Sequence, residues 1–273
     1  MIHANNKENL TSEYRITLVK ESRQEVTNGV TYLERDYRRG DGKPVRAFLV
    51  VVSPDVVANI AVSAAPQGKT KTVPEHFREC QEQGRNVIAA INSGYFHLAA
   101  KTLTSYGMQI INGKVIKEPN GGAERYGDNW FGRTIEGTYV IGNTSDYKTC
   151  YEGRLLFAAG GGDILMRNGK NVISEDTEIH PRSGVAITKA GGVIFGCIDG
   201  RSEESWGVSL TDHLNIYLDL GLPVTDMLNL DGGGSSQLVL KIGSEKPRIM
   251  NTPALDPDGL RPVADVLILE STN

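Results

Sequence analysis

The sequence predicts an α+β fold: a single domain built on a large mixed or antiparallel curved sheet with a few packed helices. Three observations lead there. Short runs of β-branched and aromatic residues recur along the chain, bounded by turn residues. Only two stretches have convincing helical periodicity and end signals. No break in composition forces a domain boundary, and elements of this kind pack as layers on a common core. Residues 1–44 carry no motif and are expected to be partly strand. Residues 45–273 form the predicted domain, and 273 residues suffice for one large core.

The elements follow in order. Residues before about Glu13 are polar and expected to fray. Tyr14 to Leu18 alternates as a strand does. Val45 to Val52 and Val56 to Val62 are two more strands, with Ser53-Pro54-Asp55 as the turn between them. Thr72 to Gly84 reads as a helix. Pro74 suits its first turn, Val73, Phe77 and Cys80 share one face, and Gly84 stops it. Val87 to Ile91 is a buried strand ending in the polar turn Asn92-Ser93-Gly94-Tyr95-Phe96.

Gln109 to Ile116 and Ile164 to Ile173 are hairpins that turn at Asn112-Gly113 and Asn168-Gly169. Between them, Glu118 to Gly132 is glycine-rich and is the best candidate for a mobile loop over a site. Trp130 within it could stack on a sugar, but anchoring the loop to the core is the favoured role. Arg182 to Thr188 and Val193 to Ile198 form a third hairpin, followed at once by Asp199-Gly200-Arg201. Ser209 to Leu220 is the clearest helix. Ser209 is its N-cap with Asp212 three residues on, and Leu210, Leu214, Tyr217 and Leu218 make its buried face. His213 flanks that face and reads as a packed or surface histidine. Gln237 to Ile242 and Val263 to Leu269 are the last strands, joined by the turn-rich Pro253 to Pro262.

The whole is organised around Met227 to Leu240, where two strand-like runs flank Asp231-Gly232-Gly233-Gly234-Ser235-Ser236. Three glycines weaken any regular element, because glycine loses the most backbone entropy on ordering. They serve where the backbone turns with positive φ or passes close to another group, and successive N–H groups in such a turn can hold an anion. A carboxylate, backbone donors and two hydroxyls suit a phosphate or sugar. A plain tight loop, with Asp231 bonding its own turn, is the alternative.

Composition narrows the classes. A net charge of -4 argues against a protein whose task is gripping nucleic acid. No apolar run is long enough to span a bilayer. The opening Met1-Ile-His-Ala-Asn-Asn-Lys lacks the pattern of an export signal. Three cysteines without a CxxC pair exclude a disulfide scaffold or a Cys-rich zinc site, and Cys197 reads as a small core residue. The glycine corner lacks a P-loop ending, and there is neither a GxSxG elbow nor a histidine pair.

Four polar turns adjoin strands: Asn92 to Phe96, His180 to Ser183, Asp199 to Arg201 and Asp231 to Ser236. Arg182 and Arg201 are candidates to fork onto phosphate or carboxylate oxygens. Asp199 and Asp231 could form the carboxylate pair that glycosyl transfer to water uses. No cofactor is required. A hard divalent cation held by Asp199, Asp231 or backbone oxygens is the one metal arrangement left open.

Asn229-Leu230-Asp231-Gly232-Gly233-Gly234-Ser235-Ser236, after the Ser209 helix and the Asp199-Gly200-Arg201 turn, resembles the phosphodiester glycosidase family. Asn92 to Phe96, Gly161 to Gly169, Pro181-Arg182-Ser183 and Arg261-Pro262-Val263-Ala264 resemble further family segments, in order. Departures fall at Ser93, Tyr95 and Asp163, where the family has glycine, phenylalanine and proline. The resemblance implies hydrolysis at the anomeric carbon of a sugar joined through a phosphodiester. It implies that Asn92, Arg182, Arg201 and the amides of Gly232 to Ser235 hold the phosphate. Tyr95, Ser183, Asn229 and Ser236 would also line the substrate site. Asp231 or Asp199 would face the anomeric carbon or its attacking water, and Arg261 would stand behind. The implied partner is a glycan or sugar-phosphodiester substrate of the cell envelope, met by an exported protein. A non-catalytic glycan or sugar-phosphate binding protein is the alternative, although an aromatic content of 7% gives little for an extended stacking platform.

Overall fold

The computed structural model describes residues 16–54, 58–66, 69–97, 105–119, 126–174 and 178–271. In chain order its elements begin with β1 (Ile16–Thr27), β2 (Val30–Arg39), β3 (Pro44–Val52), β4 (Ala58–Ala64), α1 (Val73–Glu82) and β5 (Val87–Asn92). There follow β6 (Gln109–Ile111), β7 (Lys114–Lys117), β8 (Trp130–Thr134), β9 (Tyr139–Gly142), α2 (Thr144–Asp146), β10 (Leu155–Gly160), β11 (Ile164–Arg167) and β12 (Lys170–Asn171). The last are β13 (Arg182–Thr188), β14 (Val193–Ile198), α3 (Leu210–Leu218), β15 (Val224–Asn229), β16 (Leu238–Leu240), β17 (Arg248–Ile249) and β18 (Asp265–Ser271).

The strands form not one large sheet but three, of eight, five and five strands. The orders are β1-β2-β3-β14-β13-β15-β11-β12, β7-β6-β10-β8-β9 and β17-β16-β5-β18-β4. Neighbouring strands within each sheet pair antiparallel among the described residues. Of the two predicted arrangements, mixed or antiparallel, the antiparallel one is found, in a fold that is mostly β.

Local chemistry explains most elements. Thr72 and Glu75 make a reciprocal capping box that starts α1, and Ser209 accepts from the Asp212 N–H to start α3. The turns at Asn112-Gly113 and Asn168-Gly169 both have two consecutive positive φ angles, as a two-residue hairpin turn requires. The first strand is much longer than Tyr14 to Leu18 suggested, and β2 was not anticipated. β1 is exposed along most of its length, so it carries no inward-facing alternation to read. Residues 14, 15 and 55–57 of the expected first strands lie outside the described residues. So do residues 120–125 of the expected mobile loop. Trp130 from that loop is wholly buried, and its indole N–H donates to the Asn143 carbonyl at 2.9 Å.

The main core lies between the eight-stranded sheet and the two smaller ones. Phe48, Val185, Phe195 and Leu228 from the former meet Ile91, Leu238, Leu267, Phe131 and Phe157 from the latter. On the other face of the large sheet, Leu214, Ile216 and Tyr217 of α3 cover Leu49, Ala186, Ile194 and Met227. Helix α1 covers the outer face of the β5 sheet through Val73, Phe77 and Cys80. Each such large side chain contributes about 1.5–3 kcal/mol by leaving water. Antiparallel pairing then sets the polar ends together. The start of β13 at Arg182 pairs with the end of β14 at Ile198, and Gly184 pairs with Asn229 at the end of β15. In the facing sheet, the end of β5 at Asn92 pairs with Val266 near the start of β18.

Candidate active site

The chain crosses from one sheet to the other at the glycine corner. The Leu230 N–H donates to the Ser183 carbonyl at 2.8 Å in the large sheet, and the next N–H, of Asp231, donates to Ser93 at 2.9 Å in the other. Each glycine answers a different crowding. A Cβ at Gly232 would lie 2.6 Å from the Pro181 carbonyl oxygen. Gly233 has φ +62°, and a Cβ there would meet the Arg201 guanidinium at 3.1 Å. At Gly234 the Cβ would sit 2.8 Å from Arg261 Cζ. The three glycines thus admit one main chain and two cations.

Asn92 is the joint beneath this corner. Its Nδ2 donates to the Asp231 carbonyl at 2.6 Å, and its Oδ1 accepts from the Ser183 hydroxyl at 2.8 Å and the Gln237 N–H at 3.2 Å. Asn92 and Ser183 are fully buried.

Beside it, Asn229 Nδ2 donates to the Tyr95 hydroxyl at 3.1 Å. The Tyr95 ring stacks on Tyr126, with centroids 4.1 Å apart and planes 11° from parallel. Gly162 gives Tyr95 room, since a Cβ there would be 2.9 Å from its ring. Arg182 donates through Nη2 to the Glu178 carbonyl at 2.6 Å and through Nε to Val208 at 3.2 Å. Its charge also reaches Tyr95 and the buried His213. His213 fits because Gly184 has no side chain: a Cβ there would be 2.8 Å from its Cε1. Burial, and then Arg182, push His213 down to about 3, opposed by the Asn229 side chain, so the ring is neutral.

Two carboxylates are held in contrasting ways. Asp199 accepts from Asn251 Nδ2 at 3.0 Å and from the Thr252 N–H at 2.8 Å, while Asn251 also donates to the Ser236 carbonyl at 2.9 Å. Asp199 therefore ties the residues after β17 to the glycine corner. Burial lifts its pKa to about 6 despite those bonds. Burial likewise lifts Asp231 to about 6, opposed by the Ser235 hydroxyl, Arg261 and the Gly232 N–H, and reinforced by the charge of Asp265. The buried hydroxyls of Ser93 and Ser236 have no hydrogen-bond partner among the described residues. Buried polar atoms normally have one, so these two are suited to a polar ligand.

The predicted residues Asn92, Tyr95, Arg182, Ser183, Asn229, Asp231, Gly232, Gly233, Gly234, Ser235 and Ser236 thus share one corner, with Arg201 and Arg261 packed over its glycines. One expectation changes. The Gly233 N–H donates to Pro181 at 3.0 Å and the Ser235 N–H to Gly232 at 3.2 Å, so these two amides face protein oxygens. The positive charge at the corner comes from the guanidiniums. Arg261 is paired in two-pronged fashion with Asp256 at 2.8 and 2.7 Å. Arg201 is exposed, with φ +64° and a 3.4 Å contact from Nη2 to His180 Nδ1. Among the described residues no three His, Cys, Asp or Glu side chains gather as a metal site.

Three contributors were not singled out from sequence. Tyr126 lay in the loop but carried no assigned contact. His213 was read as a packed or surface residue. Asp265 directly follows the Arg261-Pro262-Val263-Ala264 segment, and its charge adds to burial in raising Asp231.

Comparison with known proteins shows a shared fold and a family. No curated protein matches the sequence significantly. The catalytic domain of zebrafish N-acetylglucosamine-1-phosphodiester alpha-N-acetylglucosaminidase, auto-inhibited by its pro-peptide, has a similar fold with a TM-score of 0.65. It is 20% identical, over 92% of this chain and 88% of that chain. A hypothetical protein from Synechocystis has a TM-score of 0.64 at 13% identity, over 96% of this chain and 69% of that one. A Burkholderia pseudomallei protein named as a candidate exported protein has a TM-score of 0.63 at 11% identity, over 97% and 98%. A sequence profile of the phosphodiester glycosidases matches residues 85–270, more than half of the chain, and the protein belongs to that family.

Proposed function

We propose that the protein hydrolyses a sugar-1-phosphodiester at the anomeric carbon. One observation carries the reading: a half-buried carboxylate, Asp231, adjoins a glycine corner over which Arg201 and Arg261 are packed. The arrangement pairs an anion-holding wall with a carboxylate able to face an acetal carbon.

In this reading Arg201, being exposed, takes the phosphate, and Arg261 supports it from its pairing with Asp256. The hydroxyls of Ser93, Ser235 and Ser236 serve the polar atoms of the substrate. A phosphate monoester is a fair leaving group, so stabilising its charge matters more than protonating it. Asp231, ionised above about 6, then acts as nucleophile or general base at the anomeric carbon. Asn92, Ser183 and Asp199 hold the corner together through the bonds described above. Tyr95 and Tyr126 form an aromatic wall against which a sugar ring could rest. The reaction so drawn requires no resident cofactor.

The substrate class is a glycan phosphodiester, and we place it outside the cytoplasm, in line with the name of the Burkholderia structural neighbour. No helix among the described residues is long and apolar enough to cross a membrane. Incubation with a panel of sugar-1-phosphodiesters, with released sugar measured, tests the reading. Turnover of at least one member is expected. Binding of the panel without any released sugar would reject hydrolysis and leave a binding protein.

A further inference from the structure

Asp265 lies wholly buried at the start of β18. Its Oδ1 accepts from the Gly94 N–H at 3.1 Å and its Oδ2 from Gln109 Nε2 at 2.9 Å. The Ser105 hydroxyl also acts on it. Each of these partners is neutral, so they hold the carboxylate in place without cancelling its charge.

The same turn is gripped from both sides. The Ser93 N–H donates to the Asp265 carbonyl at 3.2 Å, and the Ser93 carbonyl accepts from the Asp231 N–H at 2.9 Å. Ser93 and Gly94 are thus a two-residue bridge between two acids. Asn92 lies at one end of the bridge and Tyr95 at the other. Gly94 has no room for a side chain, because a Cβ would lie 2.8 Å from the Gly160 carbonyl oxygen. The bridge is therefore pinned by β10 as well. A buried carboxylate is costly to folding, and a neutral side chain would serve the core better.

We propose that Asp265 is a positioning residue for Asp231. It fixes the Ser93–Gly94 turn against the Asp231 main chain, and its negative charge, met only by neutral donors, acts on Asp231 across that turn. The effect is to make Asp231 a stronger base. Burial opposes the ionised form of Asp231 most; the Ser235 hydroxyl, Arg261 and the Gly232 N–H favour it, and the charge of Asp265 adds to burial in opposing it. Asp265 is itself lifted to about 6 by burial. The catalytic sense of this coupling rests on Asp231 being the reacting carboxylate, as proposed above. The coupling itself does not.

The test is the pH titration of the Asp231 carboxyl carbon by 13C NMR on the full chain, with the signal assigned from Asp231→Asn. The wild type is compared with Asp265→Asn, in which the Gln109 amide can reverse to meet the new donor. A second variant, Gln109→Met, removes one donor and leaves Asp265 easier to protonate. We expect the Asp231 midpoint to fall in Asp265→Asn, and to fall less in Gln109→Met. The acid limb of kcat/KM should move with it, and the plateau should drop by about two- to threefold as the base weakens. An unmoved Asp231 midpoint in a folded variant overturns the proposal, even if activity is lost. If Asp265→Asn does not fold, an unmoved midpoint in Gln109→Met overturns it. A shifted midpoint in a protein that turns over no phosphodiester would keep the coupling and reject the glycosidase reading. Turnover with an unmoved midpoint would do the reverse.

Discussion

The side-chain amide of Asn92 donates to the main-chain carbonyl of Asp231 across 2.6 Å, joining residues 139 positions apart. Through this bond the end of one sheet holds the reactive corner of the other. Asn92→Ala would leave the Gln237 N–H and the Asp231 carbonyl unmet, and the Ser183 hydroxyl with only Cys197 Sγ at 3.3 Å. Each unmet group costs about 1–3 kcal/mol, so a loss of at least about 2 kcal/mol is expected in urea unfolding. A change below about 1 kcal/mol would show that the joint is not structural.

The glycines of the corner should differ in what alanine does to them. Gly232→Ala drives a methyl against the Pro181 carbonyl, which is main chain and cannot yield cheaply. Stability should fall by about 2 kcal/mol or more, seen as a lower Tm. At Gly234→Ala the nearest obstacle is the far end of Arg261, which can move, with the Ala254 carbonyl oxygen behind it at 3.1 Å. That variant should lose less Tm than Gly232→Ala and raise KM about tenfold, through a displaced cation.

Asp231→Asn should make the protein more stable at neutral pH while removing activity. The folded-state pKa of Asp231 is raised from 3.8 to about 6, so the folded protein holds this proton more tightly than the unfolded chain. That contribution is complete below about 4 and is lost as pH rises through 6. At pH 7 the buried charge therefore weighs against folding by up to about 3 kcal/mol, at 1.36 kcal/mol per unit. The variant's gain in unfolding free energy should be largest at pH 7 and vanish near pH 4. A gain that does not vary with pH would contradict a buried charge at this position.

His213 should not titrate between pH 5 and 8. Its folded pKa is depressed to about 3, so its neutral state supports folding above the unfolded value of 6.5 and that support declines as pH falls. Imidazole 1H–15N spectra that stay constant across this range are expected. A midpoint near 6.5 would mean that Arg182 and burial do not act on the ring.

Much of this was legible in short segments. The turns at Asn112-Gly113 and Asn168-Gly169, and the helix starts at Thr72 and Ser209, are set by side chains within a few residues of each other. The glycine corner was readable because three successive glycines have few uses other than close approach. The division into three sheets was not, because it depends on which distant strands pair. β2 was hidden behind an exposed partner, β1. The engagement of the Arg182 guanidinium with the Glu178 and Val208 carbonyls, and that of Asp265 with Gly94 and Gln109, are likewise long-range contacts with no local signature.

The proposed reaction attacks the anomeric carbon rather than phosphorus, and the origin of the new oxygen decides between them. Hydrolysis of a turned-over sugar-1-phosphodiester in 18O-labelled water, with both products analysed by mass spectrometry, should place the label on the released sugar and leave the phosphate monoester unlabelled. Label in the phosphate would contradict the account, because the bond broken would then be P–O and Asp231 would have no acetal carbon to face.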